Sequence, residues 1–128
     1  MNDNLQSITK VDKGRALHAF NKANNAASKS YKKEYKQYSM KLISMIRVNG
    51  LAPALAFIFS KNDQAYNAIA GDIIDYLKVY GFIENNINDL QGLIQKVISL
   101  NSAEYFMLTG EITKYLSWLS RFIKGMVK

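Results

Sequence analysis

Few side chains in this sequence are suited to acid–base or metal chemistry, and they stand far apart in the chain. His18 is the single histidine, Asp72 and Asp75 are three residues apart, and Glu111 is a further carboxylate that folding could bring beside them. Two carboxylates one helical turn apart, with a third from another helix, are the minimum of a magnesium site. The same spacing is equally that of a solvated helix face, which is the simpler expectation here. A Ser-His-Asp arrangement would have His18 as its only base and no Gly-x-Ser-x-Gly turn to present a nucleophile, so His18 reads as a partly exposed helix residue. Cysteine is absent, which excludes thiolate nucleophiles, cysteine metal sites and disulfides. Gly50 and Gly71 are isolated and form no phosphate-cradling loop. The chain is therefore expected to have no catalytic residue, no metal site and no cofactor, and not to be an enzyme.

Positive charge is the abundant chemistry. The net charge is +7 over 128 residues, and it is unevenly placed. Residues 1–47 hold ten Lys or Arg against three Asp or Glu, whereas residues 48–128 hold seven of each. An excess confined to one third of a chain points to a surface that meets phosphate. Its densest stretch is Lys29-Ser30-Tyr31-Lys32-Lys33-Glu34-Tyr35-Lys36-Gln37-Tyr38. Wound as a helix, Lys29, Lys33 and Lys36 share one face while Tyr35, Tyr38 and Leu42 turn to another. Such a face contacts sugar-phosphate without reading bases. Charge and helical face together select Arg15, Lys22, Lys29, Lys33, Lys36, Lys41 and Arg47 as candidate phosphate contacts, whether of nucleic acid or of lipid.

The elements that must position these residues are all helical. Apolar residues recur at three- and four-residue spacing along the chain, and no segment alternates as a strand does. A first helix is expected over about Asn4–Ala27, with Leu5, Ile8, Val11, Ala16, Ala19, Phe20, Ala23 and Ala27 on its apolar stripe. A second, about Tyr31–Val48, ends at Asn49-Gly50. Pro53 fits the first turn of a short apolar helix reaching Phe59. Asp63 caps a fourth helix that Gly81 closes, Asn86 or Asn88 opens a fifth with Ile87, Leu90, Ile94, Val97 and Ile98 inward, and Asn101 with Glu104 forms a capping box for a last helix ending at Gly125. The fourth and sixth helices share a pattern in which Gly71 matches Gly110. A mid-helix glycine costs about 1 kcal/mol relative to alanine, so both are expected where another backbone comes close. The whole, residues 1–128, reads as one all-α domain, a bundle of about six helices with basic N-terminal helices (1–48) and a neutral remainder (49–128). The longest apolar run, Leu51 to Phe59, is too short to span a membrane, and the polar start is no signal peptide. A soluble, cytoplasmic protein is expected.

Two blocks of sequence carry a family resemblance. One is Lys41-Leu42-Ile43-Ser44-Met45-Ile46-Arg47-Val48-Asn49-Gly50-Leu51 followed by Ala54-Leu55-Ala56-Phe57 and Ser60-Lys61; the other is Glu104-Tyr105, Thr109 and Glu111, then Trp118-Leu119-Ser120-Arg121-Phe122. In order and spacing they resemble the small subunit of the Cmr complex, the RNA-guided effector of type III-B CRISPR systems. That family often has proline where this chain has Ile43, which should leave the second helix straighter. The resemblance implies a non-catalytic all-helical subunit that stacks in several copies beside RAMP-fold backbone subunits and a Cas10-type large subunit, along the groove where guide RNA pairs with target RNA. Asn49 and Gly50 are expected as a helix terminator, and Trp118 and Phe122 as core or subunit-contact residues. Arg121 could bind phosphate or pair with Glu111. A protein-protein adaptor whose basic face docks an acidic partner is the alternative. A membrane-surface binder and an enzyme rank below it.

Overall fold

The computed structural model describes residues 3–128, with side chains from residue 12 onward. Among these residues the secondary structure is wholly helical: α1 (Asp3–Ala26), α2 (Lys32–Asn49), α3 (Leu51–Lys61), α4 (Gln64–Val79), α5 (Leu90–Ile98) and α6 (Ser102–Met126). The expected stripe positions Leu5, Ile8 and Val11 lie outside the described side chains. α6 is the axis of the bundle. α1 runs alongside it in the same direction, as the successive pairs Arg15–Glu111, His18–Tyr115 and Phe20–Phe122 require. α2 returns along another flank, from Lys36 beside Val127 to the α2–α3 junction beside Tyr105.

Most boundaries follow from local chemistry. Gly50 adopts φ +95°, a conformation strained for any side chain, and so breaks α2 from α3. Pro53 lies in the first turn of α3, where its missing N–H has no intrahelical partner to lose. The exposed first-turn N–H of Ala52 is instead taken by the hydroxyl of Tyr105, 2.9 Å away. Asp63 caps α4 by accepting from the N–H groups of Ala65 and Tyr66, and Gly81 follows at φ +77°. At α6 both halves of the Asn101–Glu104 capping box are formed.

Three expectations are corrected. Asp89, rather than Asn86 or Asn88, caps α5 by accepting from the N–H of Gly92 at 2.8 Å, and the shifted start turns Leu90, Leu93 and Val97 inward and leaves Ile98 67% exposed. α6 does not stop at Gly125. It continues to Met126 because Val127, itself buried, donates its N–H to the carbonyl of Ile123. On α1 the buried stripe is Ala19, Ala23 and Ala26, while Phe20 sits at the rim against Phe122; Arg15 and the mostly buried His18 take the inward places that apolar spacing gave to others. Among its described side chains, α1 is thus buried mainly through alanine, which buries little area but lets helices approach closely.

Neither Gly71 nor Gly110 has a close neighbour, for an added Cβ would meet nothing within 4 Å at either position. The expectation of close backbone contact there is overturned within this chain. Each glycine lies inside a helix and so carries only its intrinsic cost. Gly71→Ala and Gly110→Ala are each expected to raise unfolding free energy by about 0.5–1 kcal/mol in urea titrations. A fall in stability would reveal a steric constraint at these positions.

Candidate nucleic-acid interface

The seven candidate cations divide into three groups. Arg15 points into the bundle, and Lys22 is held at its rim. The Arg15 side chain is 5% exposed; its Nε donates to the Tyr76 hydroxyl at 3.0 Å, one terminal nitrogen to Glu111 at 2.9 Å, and the other to Asp12. Burial opposes the guanidinium's charge, but the bonds to Glu111 and Tyr76 outweigh it and hold its pKa above the ordinary value. Lys22 pairs with Asp75 at 3.6 Å. Arg15 is therefore corrected from phosphate contact to interior structural residue, since a guanidinium with three partners inside the fold has nothing left to offer outside.

The acidic residues are committed to the same seam. Asp75 accepts from Nε2 of His18 at 2.7 Å, while the other ring nitrogen lies 2.7 Å from the Tyr115 hydroxyl. Burial pushes His18 below its ordinary pKa against the pull of Asp75, which favours a neutral ring that donates to Asp75 and accepts from Tyr115. The Tyr35 hydroxyl donates to Asp72, and Tyr76 stacks on Tyr115 with centroids 4.3 Å apart. The expectation of a solvated face for Asp72, Asp75 and Glu111 is thus replaced by buried or half-buried pairing across α1, α2, α4 and α6. Among the described residues no three His, Cys, Asp or Glu side chains are grouped to hold a metal ion.

Outward charge is concentrated on α2. At about 100° of rotation per residue, Lys33, Lys36, Met40 and Arg47 fall in one row, with Lys41 about a quarter-turn away. Lys33, Lys41 and Arg47 are exposed, and none of the lysines from 29 to 41, nor Arg47, forms an ion pair among the described residues. Lys29 is exposed but belongs to the turn before α2, not to the helix. Lys36 donates to the carbonyl of Val127 at 2.9 Å, fixing it beside a shallow hollow of about 310 Å³ lined by Lys33, Lys36, Gln37, Met40 and Lys128. The three lysines that line this open hollow can donate hydrogen bonds to phosphate oxygens without reading bases. Lys41 faces the other way, toward Lys61, Phe57 and Tyr66. Lys128 and Lys61 were not among the sequence candidates. Their relevance comes from the α2–α6 and α2–α3 contacts, which residue spacing alone does not state.

The remaining candidates are structural or lie at the rim. Asn49 ends α2, and Gly50 supplies the break. Trp118 and Phe122 are half-buried and stacked at 5.6 Å, with Phe20 edge-on to Phe122 at 5.3 Å. Arg121 is exposed and forms no ion pair among the described residues. It does not pair with Glu111, which lies ten residues, about 15 Å, away along the same helix and bonds Arg15 instead. The two blocks of resemblance meet in space where Tyr105 closes over Gly50 and Ala52.

Comparison with known proteins matches residues 11–126 to the family model described as CRISPR-associated protein (Cas_Cmr5). The chain belongs to this family. A relative named CRISPR system Cmr subunit Cmr5, from Thermus thermophilus, is 28% identical over 113 residues, which cover 88% of this chain and 92% of the relative. The crystal structure of a CRISPR-associated Cmr5 family protein, also from Thermus thermophilus, is similar at a TM-score of 0.78 and 27% identity, covering 90% of this chain and 95% of that one. The six-helix architecture is thus the family's fold, and an unbroken α2 through Ile43 fits within it.

Two substitutions test the buried seam. Arg15→Ala leaves Glu111 and Tyr76 without their donor, and is expected to cost about 3 kcal/mol of stability by chemical denaturation. Burial raises the Asp72 carboxyl to about 6, despite the bond from Tyr35 and the charge of Lys22. Its folded pKa thus lies above the unfolded value, so its favourable contribution is present in acid and is lost as pH rises from about 4 to about 6. Asp72→Asn, which can still accept from Tyr35, should raise stability by about 1 kcal/mol near pH 7 and give no gain near pH 4. An equal gain at both pH values would contradict this account.

Proposed function

We propose that the chain is a non-catalytic small subunit of a type III-B CRISPR (Cmr) effector complex, in which the α2 lysine row and Lys128 contact the sugar-phosphate backbone of the guide–target RNA. The observation that carries this reading is the unpaired cation row of Lys33, Lys36 and Arg47, joined by Lys128 around the hollow and flanked by Lys29. Family membership supplies the assembly: the Thermus relative is named as a Cmr subunit. RAMP-fold backbone subunits, a Cas10-type large subunit and further copies of the chain are the protein partners in this reading, and the guide supplies sequence recognition by base pairing. The half-buried Phe20–Phe122–Trp118 cluster suits a contact with one of those subunits.

Absence of catalysis is part of the proposal. It is supported by the engagement of His18, Asp72, Asp75 and Glu111 in bonds that hold helices together. Among the described residues no helix is long and apolar enough to cross a membrane, which agrees with a cytoplasmic complex.

Charge reversal of Lys33, Lys36 and Lys128 to Glu should weaken binding to an RNA duplex at least tenfold, and should flatten the dependence of log affinity on log salt by about 2 to 3. Filter binding across a salt series measures both. An unchanged slope would favour the adaptor reading, in which this face docks an acidic protein and partner recovery survives ribonuclease.

A further inference from the structure

A second concave site lies on the opposite side of α2 from the lysine row. It is a cavity of about 290 Å³ lined by Tyr38 and Lys41 of α2, Phe57 and Lys61 of α3, and Asp63 and Tyr66 at the start of α4. Three kinds of group converge there. Tyr38 stacks on Tyr66 with centroids 4.1 Å apart and planes 12° apart, and Phe57 stands edge-on to Tyr66 at 6.3 Å. Lys61 sits over the Phe57 ring at 5.2 Å, and neither Lys41 nor Lys61 has a carboxylate partner among the described residues. Asp63 uses Oδ1 to cap α4, while Oδ2 accepts no hydrogen bond among those residues. Tyr66 is 3% exposed, and its hydroxyl is buried with no hydrogen-bond partner.

We propose that this cavity is a guanine-nucleotide site, with the base on the open face of Tyr38, its N–H edge on Asp63, and its phosphate between Lys41 and Lys61. The combination of groups narrows the ligand. Free lysines favour an anion, but a carboxylate in the same cavity repels a bare one, so the ligand must pair a negative end with a donor-bearing end. The half-exposed Tyr38 offers one open face to a ring, its other face being closed against the buried Tyr66. Guanine presents two adjacent N–H donors to a carboxylate, whereas uracil flanks its single N–H with two carbonyl oxygens that Asp63 would repel. The half-exposed Tyr38, stacked flat on Tyr66, is the side chain that must tilt for a ligand acceptor to meet the unpartnered hydroxyl. The inference goes beyond backbone binding and uses other lysines, so either can fail alone.

The test is titration of the full chain with GMP, UMP and inorganic phosphate, followed by amide NMR at Ala65 and Tyr66, whose N–H groups bind Asp63. GMP should shift both resonances at millimolar concentration, with UMP weaker by roughly tenfold. Asp63→Asn retains a capping acceptor, so α4 should persist by circular dichroism while the preference for GMP is lost. Lys61→Gln should weaken GMP and leave the preference intact. An oligouridine with and without one guanosine distinguishes the source: tighter binding of the guanosine-bearing strand, lost in Asp63→Asn, assigns the base to an RNA strand, and equal binding of the two strands assigns a free nucleotide. Either supports the site. No shift with GMP, equal shifts with phosphate alone, or a GMP preference that survives Asp63→Asn would overturn it.

Discussion

The fold depends on a polar seam buried where α1 lies along α6 and α4. From residue 12 onward the buried apolar face of α1 is alanine, so this stretch has little apolar area with which to choose a register. Charged groups choose it instead. Arg15 must meet Glu111 and Tyr76, and His18 must meet Asp75 and Tyr115, at the same time. Sliding α1 by one turn, about 5.4 Å, breaks all four contacts together. A buried ion pair adds little net stability over a well-packed apolar pair, yet leaving one member alone is severely unfavourable. The seam therefore acts chiefly by penalising every register but one.

The same seam decides which charges face outward. The N-terminal third carries the whole excess of positive charge, but Arg15 and Lys22 are balanced by carboxylates from α4 and α6, regions that are neutral only when counted as sequence. Among the described residues, the cations of this third that form no ion pair lie on α2 and the turn before it, apart from Lys13 on α1. Interior neutralisation on α1 thus sharpens a diffuse basic third into a localised face, and a localised face interacts with an ordered phosphate backbone more strongly than the same charge dispersed.

The helices were legible because caps and breakers are local: Asp63, Gly50, Gly81 and the Asn101–Glu104 box act within a few residues of themselves. The fifth helix was misplaced at its start because Asn86, Asn88 and Asp89 are all good caps, and only the inward turn of Leu93 selects the last. The candidate site was half legible. Lys33, Lys36 and Arg47 share a face by helical period alone, but an outward lysine and an inward arginine look identical in one dimension. The fate of Arg15 rests on Glu111, 96 residues away, and a distant partner of that kind leaves no periodic trace. Lys128 and Lys61 join the site through tertiary contact for the same reason.

α2 is the element on which the two proposed recognition surfaces converge, and its continuity links them. A proline at position 43 would remove a main-chain donor in mid-helix and bend the row between Lys36 and Arg47. Ile43 instead keeps α2 continuous and is itself buried. The lysine row then follows one line to the hollow that Val127 and Lys128 complete, because the carbonyl of Val127 fixes Lys36. On the far side the same unbroken helix carries Tyr38, whose ring lies against Tyr66 and is free to tilt without moving the backbone. The buried side chains between these faces, Leu42, Ile46 and Tyr35, allow neither side of the helix to rotate independently. A ligand that orders one face should therefore act on a helix already rigid at the other, so the two surfaces behave as parts of one body and not as loops that adapt separately.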